Sequence, residues 1–340
     1  MNILIASTYL PPFAGGAERI AFDLAKGINE KENVKLITTS KNTEYYNNKI
    51  IKVKYTKGLT LFYSTLAYPY IKKLIKNENI ELIHAHMTLP WGYVFRDIKA
   101  KKLITCHGSD VYPKKNFFIN KLINDTFKKT NVIVSPSVWL SKYIHEQYDF
   151  SSRIIPNGID TKLFRPLKIE SKEKVVLFVG RFIELKGINL ILKVASILKD
   201  YEFWFVGNGP LSKKISLPNT KMLGFKNKED LIELYNKATL CLFPSKRENF
   251  PLVGLEAMSS GAAIIATKTG FSEYISDMED GLITSDNEQD ITDKIINLSE
   301  DNNLRKKIKL RARKTALKFD TKVMISNYYN LYEGLLDNGN

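Results

Sequence analysis

Val175-Val176-Leu177-Phe178-Val179 is apolar at every position. A strand with one face in water alternates polar and apolar residues. An unbroken run of five belongs to a strand covered on both faces, as in a parallel sheet flanked by helices. Gly180 and a short polar turn follow, and then Ile188, Ile191, Val194, Ala195 and Leu198 fall at spacings of three and four. That spacing makes one apolar helix face.

The same strand, turn and helix unit recurs in both directions. Upstream it begins at Asn2–Ser7, Lys35–Ser40, Glu81–His86, Lys102–Cys106 and Asn131–Ser135; downstream at Glu202–Gly207, Lys221–Phe225, Thr239–Pro244 and Ala262–Thr267. Strands alternating with helices imply an α/β fold, and the repetition implies two doubly wound domains. Arg165-Pro166 and the polar stretch Lys168–Lys174 read as a linker, which sets domains at 1–165 and 166–319. Leu304–Leu317 has the pattern of a basic helix and Asp320–Leu336 that of an aromatic-rich one.

Composition agrees with two soluble cores. Of 340 residues, 44% are hydrophobic and 26% charged, enough apolar material for each half to bury its own interior. The two cysteines, Cys106 and Cys241, sit in apolar runs and suit neither a disulfide framework nor a metal site, so a reducing compartment is expected. No apolar run approaches the roughly 20 residues of a membrane span, and the first residues lack the basic flank of a signal peptide. A cytoplasmic protein is the expectation.

The net charge of +15 is unevenly spread: residues 1–166 hold 25 Lys or Arg against 13 Asp or Glu, and residues 167–340 hold 26 against 23. A basic first half attracts an anionic membrane surface, a phosphorylated acceptor or nucleic acid. A solvated lysine-rich face is the plain alternative. Basic segments at Tyr70–Lys76 and Arg96–Lys102 fit docking at the inner face of a cell membrane, whereas no nucleic-acid motif accompanies the charge.

In doubly wound domains ligands bind beyond the carboxyl ends of the strands. After the first strand, Gly15-Gly16-Ala17-Glu18-Arg19 opens a helix, where backbone N–H groups can approach an anion. After Val175–Gly180, Arg181 and Lys186 flank a turn and can clamp a diphosphate. Beyond Phe243-Pro244-Ser245, Glu248 lies in a loop and Glu256 on the helix that follows, with seven residues between them. Two carboxylates and free helix N–H groups suit sugar and ribose hydroxyls, although such spacing alone is common.

The string Ser245–Met258, continuing to Gly261–Thr267, resembles the Glu-x7-Glu signature of family 4 retaining glycosyltransferases. Gly15–Glu18, His84-Ala85-His86, His107-Gly108-Ser109-Asp110, Pro156–Asp160, Val179-Gly180-Arg181 with Lys186-Gly187, and Val206–Pro210 extend the likeness in order over nearly the whole chain. The resemblance implies two Rossmann-like domains facing across a cleft (the GT-B architecture), with the helix at about 320–340 packing back on the first domain. It also implies a nucleotide-sugar donor, UDP-linked, held by Arg181 and Lys186 at the diphosphate, with Gly15 and Gly16 near it. Glu256 would bind ribose, Phe225 the base, and Glu248 the transferred sugar. His107 would lie at the reacting carbon with Asp110 beside it. By their places in the sequence, His86 at a strand end is expected to contact acceptor, His84 to be structural, and His145 to sit on a surface helix without a role.

Two departures from the family pattern bear on the sugar. Asn249 stands where glycine often follows the first glutamate, and Pro251 has no N–H to give. Sugar contacts would then come from Asn249, Phe250, Leu252 and Val253. No Asp-x-Asp triplet occurs, so neither a metal nor another cofactor is expected and same-face transfer is favoured. The expected reaction moves a hexose or N-acetylhexosamine to a lipid-linked or cell-surface glycan in cell-envelope polysaccharide biosynthesis. A sugar-nucleotide epimerase of similar fold and a catalytically silent subunit are the rival readings.

Overall fold

A computed structural model describes residues 1–10, 15–39, 50–52, 66–112 and 117–337. Pro11–Ala14 of the first glycine loop, Ser40, and the last three positions of the expected C-terminal helix lie outside them. The contacts divide the chain into two units: 1–158 together with 321–340, and 159–320.

The first unit holds a parallel sheet of seven strands: β1 Asn2–Ser7, β2 Asn33–Thr38, β3 Ile50–Lys52, β4 Leu82–His86, β5 Lys101–Thr105, β6 Val132–Ser135 and β7 Arg153–Ile154. Their order is β3-β2-β1-β4-β5-β6-β7. The register sets Ile5 beside His84 and His86 beside Thr105. One side of the sheet is sealed by Leu4, Ile83, Ile104, Trp91, Phe95 and Phe127, all buried. The helix Thr321–Asp337 belongs to this unit: it buries Met324, Tyr328, Leu331 and Tyr332 and contacts the helix Gly16–Ile28.

The second unit has six parallel strands: β8 Val175–Val179, β9 Glu202–Val206, β10 Thr220–Gly224, β11 Leu240–Phe243, β12 Ile264–Thr267 and β13 Leu282–Thr284, ordered β10-β9-β8-β11-β12-β13. Every residue of β8 is buried, which is what the unbroken apolar run requires. The helix Ile188–Ile197 turns Ile188, Ile191, Val194 and Ala195 inward.

The chain changes unit at Gly158, seven residues before the expected Arg165-Pro166. The difference has a physical cause. Phe164 is fully buried against Tyr235, and Arg313 donates to the carbonyls of Phe164 (2.8 Å), Ser259 (2.7 Å) and Thr161 (3.0 Å). Those bonds bind residues 161–164 to the second unit, so the proline falls inside a domain. Ile159 and Asp320 form a parallel bridge at the unit's two ends, and the Thr161 hydroxyl donates to the Asp320 carboxylate.

Candidate functional site

In each sheet the strand order reverses direction at one place, between β1 and β4 in the first and between β8 and β11 in the second. Loops leaving neighbouring strands there diverge and open a crevice, the usual ligand position in doubly wound sheets.

In the second unit, the loops after β8 and β11 are stitched together. Lys246 N–H donates to the Leu185 carbonyl at 2.9 Å. The Lys186 ammonium is ion-paired with Glu248, and the Ser245 hydroxyl donates to the same carboxylate oxygen at 2.9 Å. Gly187 sits at φ +76°, and a Cβ there would run into the Pro244 carbonyl, so glycine is what lets the loops close on each other. Glu248 is held from behind as well: its carbonyl accepts the Gly270 N–H at 3.1 Å. A side chain on Gly270 would collide with the Asn249 carbonyl. Arg181 is exposed on the same loop as Lys186.

The helix Leu252–Ser259 starts at this crevice with no side-chain cap. The first N–H groups of a helix, here those of Leu252, Val253 and Gly254, have no partner within it and carry the positive end of its dipole. Glu256 lies on the second turn, only 3% exposed, and its Oε2 accepts from the Tyr235 hydroxyl at 3.4 Å. The Pro251 carbonyl is taken by the Tyr274 hydroxyl at 2.7 Å. Burial and the two nearby carboxylates push the Tyr274 hydroxyl well above its ordinary range, so it keeps its proton and donates. Phe250 is buried against Tyr274 and Phe319, which leaves its backbone rather than its ring for a ligand. Phe225 follows Gly224 at the end of the edge strand β10 and is 71% exposed. An exposed ring in this place is free to stack on a flat partner.

The first unit gathers different chemistry. His84 and His86 are on β4, and His107 follows β5. His86 Nδ1 and His107 Nε2 are 3.1 Å apart, and the three rings stack with centroids 4.4 Å (His84 to His86) and 5.3 Å (His86 to His107) apart. His84 Nδ1 meets the Tyr332 hydroxyl at 2.6 Å and its Nε2 the Thr105 hydroxyl at 2.8 Å; Thr105 in turn meets Tyr328 at 2.8 Å. Burial drives His84 and His86 well below the ordinary histidine range. Burial lowers His107 too, opposed by the Asp110 charge. All three shifts favour the uncharged ring.

Two expectations need correction here. His86 is 1% exposed and stands behind His107, so it has no surface with which to touch an acceptor. Asp110 is a brace rather than a free carboxylate. Its Oδ1 accepts the His107 N–H at 2.9 Å, and its Oδ2 accepts the Thr88 N–H at 2.9 Å and hydroxyl at 3.2 Å. It ties the loops after β4 and β5 together, across Met87 at φ +82°. Gly15 caps the helix Gly16–Ile28 in an extended conformation, and the Glu18 carboxylate folds over it where a Cβ would sit. Gly16 is exposed beside it, and His145 is on the surface.

The hydrogen bonds of the Tyr235, Tyr274, Tyr328 and Tyr332 hydroxyls were not foreseen. Each hydroxyl reaches its partner across 21 residues or more, a distance that no local pattern encodes. Among the described residues no group of three or more His, Cys, Asp or Glu could hold a metal ion. No helix among them is long and apolar enough to cross a membrane.

Comparison with known proteins places both units. Residues 160–315 match the glycosyl transferases group 1 family and residues 14–163 match glycosyltransferase family 4. An uncharacterized glycosyltransferase of Methanocaldococcus jannaschii is 29% identical over 358 residues, covering 99% of either chain. The N,N'-diacetylbacillosaminyl-diphospho-undecaprenol α-1,3-N-acetylgalactosaminyltransferase of Campylobacter jejuni is 27% identical, covering 79% of this chain and 81% of its own. Among solved structures, Anabaena HepE in complex with UDP-glucose superposes with a TM-score of 0.83 at 16% identity, over 98% of this chain and 100% of its own.

Proposed function

Because the chain belongs to the group 1 and family 4 glycosyltransferases and has the two doubly wound units of the GT-B fold, we propose that it is a retaining, metal-independent enzyme that transfers a hexose or N-acetylhexosamine from a UDP-sugar to a lipid-linked glycan. The observation that carries this reading is the Lys186–Glu248 pair at the switch point of the second sheet, beside an uncapped helix start.

An ammonium has three N–H donors. One engages Glu248, and the others are available to the donor diphosphate alongside Arg181 and the helix dipole. These cations stabilise charge that grows on the departing phosphate, the largest single contribution in many enzymes. Glu248 and the N–H groups of Asn249, Phe250, Leu252 and Val253 hold the sugar, Glu256 the ribose hydroxyls and Phe225 the base. Same-face transfer balances simply. The acceptor oxygen bonds to the anomeric carbon as the carbon–phosphate oxygen bond breaks. The leaving diphosphate keeps that electron pair and takes the acceptor's proton.

UDP as carrier is supported by the fold shared with HepE, which binds UDP-glucose. A lipid acceptor is supported by the Campylobacter relative, whose name specifies a diphospho-undecaprenol-linked one. Tyr70, Lys72, Lys73 and Lys76 are exposed on the helix Tyr68–Asn77, a face suited to an anionic membrane.

Nucleotide release from a panel of sugar nucleotides tests the reading. UDP release should rise on adding a diphospho-undecaprenol-linked saccharide and survive EDTA. No release from any donor rejects transferase activity; acceptor-independent turnover points to epimerisation; loss in EDTA with rescue by magnesium rejects metal independence. Sedimentation with anionic vesicles at low salt should carry the protein down and release it at high salt. Its absence from the pellet would remove the membrane from the proposal.

A further inference from the structure

We infer that His86 is the positioning residue for His107, and that it holds the His107 ring as the Nδ1–H tautomer, a hydrogen-bond donor. The inference rests on His107 lying at the reacting centre of the proposed transferase.

The tautomer follows from the requirement that buried donors find acceptors. His86 Nε2 is buried with no hydrogen-bond partner. An orphaned N–H costs more than an unused lone pair and is the rarer of the two inside proteins. The His86 proton therefore sits on Nδ1, the nitrogen 3.1 Å from His107 Nε2. His107 Nε2 must then accept, which places the His107 proton on Nδ1. A substrate oxygen that meets a ring nitrogen of His107 meets an N–H.

Orientation is set by what lies behind. His86 is packed between His107 and His84, and both His84 nitrogens are occupied by Tyr332 and Thr105 hydroxyls, with Tyr328 bonding to Thr105. The row is buried from the helix Thr321–Asp337 up to His107, which is partly exposed. Asp110 fixes the His107 backbone through its N–H, and His86 bonds to its ring. Main-chain position and ring angle thus have separate supports.

The first test needs no activity. The chain has only four histidines, so nitrogen-15 spectra of imidazole-labelled protein resolve each ring. At pH 7.5, His107 should show a protonated Nδ1 and an unprotonated Nε2. An Nε2–H signal or an average of the two forms overturns the inference, whatever the enzyme transfers.

The second test is kinetic. His86→Leu should lower kcat roughly 10- to 100-fold, as expected when a reacting group is misplaced, with the donor KM changed less than about threefold. His86→Asn can set an amide N–H where Nδ1–H stood and should recover most of that loss. Equal turnover by wild type and His86→Leu overturns the positioning role, and so does a His86→Asn variant as slow as His86→Leu. Absence of transferase activity in the wild type instead rejects the proposed function, while the spectra still decide the tautomer.

Discussion

The charged pair of the second unit lies on the loops after β8 and β11, where that sheet's order reverses, and the imidazole row of the first lies on β4 and after β5, beside the reversal between β1 and β4. They are built on opposite principles. Lys186 and Glu248 form an ion pair partly open to water, carried on loops that glycines allow to touch. His84 and His86 are buried, His84 is held by two hydroxyl groups, and His86 carries His107 at the partly exposed end of the row. A partly open ion pair can exchange one partner for a charged ligand. A buried neutral row cannot exchange partners; it can only hold one geometry. Binding a diphosphate needs the first property, and aiming a single ring needs the second.

Removing either charge should have the largest effect. Lys186→Ala and Glu248→Ala should each reduce kcat by roughly two to three orders of magnitude, the usual loss of one preorganised transition-state contact. A folded variant of either kind with wild-type turnover would mean the ion pair is merely ornamental to the loops. Gly270→Ala tests the loop that carries Glu248. Its methyl would strike the Asn249 carbonyl, and overpacking of this kind costs about 1–3 kcal/mol. Calorimetry should register that loss together with a raised donor KM; an unchanged melting temperature would show that the loop has room to spare.

Acid should act on the first unit through its histidines. His84 and His86 have folded pKa values well below the ordinary value of 6.5. The unfolded chain therefore binds more protons beneath pH 6.5, and stability that is fully present above it falls as pH drops toward the folded values. Each group forfeits on the order of 1 kcal/mol over the first pH unit. Unfolding followed between pH 7.5 and 5.5 should show this slope, and His84→Gln should flatten it. An equal slope in that variant would assign the acid sensitivity to other groups.

What could be read without coordinates follows physical range. Val175–Val179 and Leu240–Phe243 announced buried parallel strands because burial on both faces leaves no polar position. The strands β3, β7 and β13 have only two or three residues, and the two residues of β7 are exposed; neither length nor pattern marked them. Lys186 and Glu248 are 62 residues apart, and the family motif, not their spacing, pointed to both. Tyr332 was visible as one apolar position of a helix. Its hydroxyl on His84, 248 residues away, was not, since a helical repeat says which face is buried and nothing about the atom it meets. His86 was misjudged for the same reason: a strand end suggested exposure, and the neighbouring ring covered it.

The side-by-side ends of the second unit, Ile159 and Asp320, bear on the order in which the protein can be finished as it leaves the ribosome. Residues 159–320 form one uninterrupted stretch and can fold as soon as they emerge. The first unit is begun earlier and completed later. Its strands are made at the outset, yet Tyr328 and Tyr332, which satisfy Thr105 and His84, belong to the helix Thr321–Asp337, translated after the whole second unit. Until that helix arrives, a nascent first unit carries buried imidazole and hydroxyl groups short of partners. The half of the protein that starts first must wait for the other to be built.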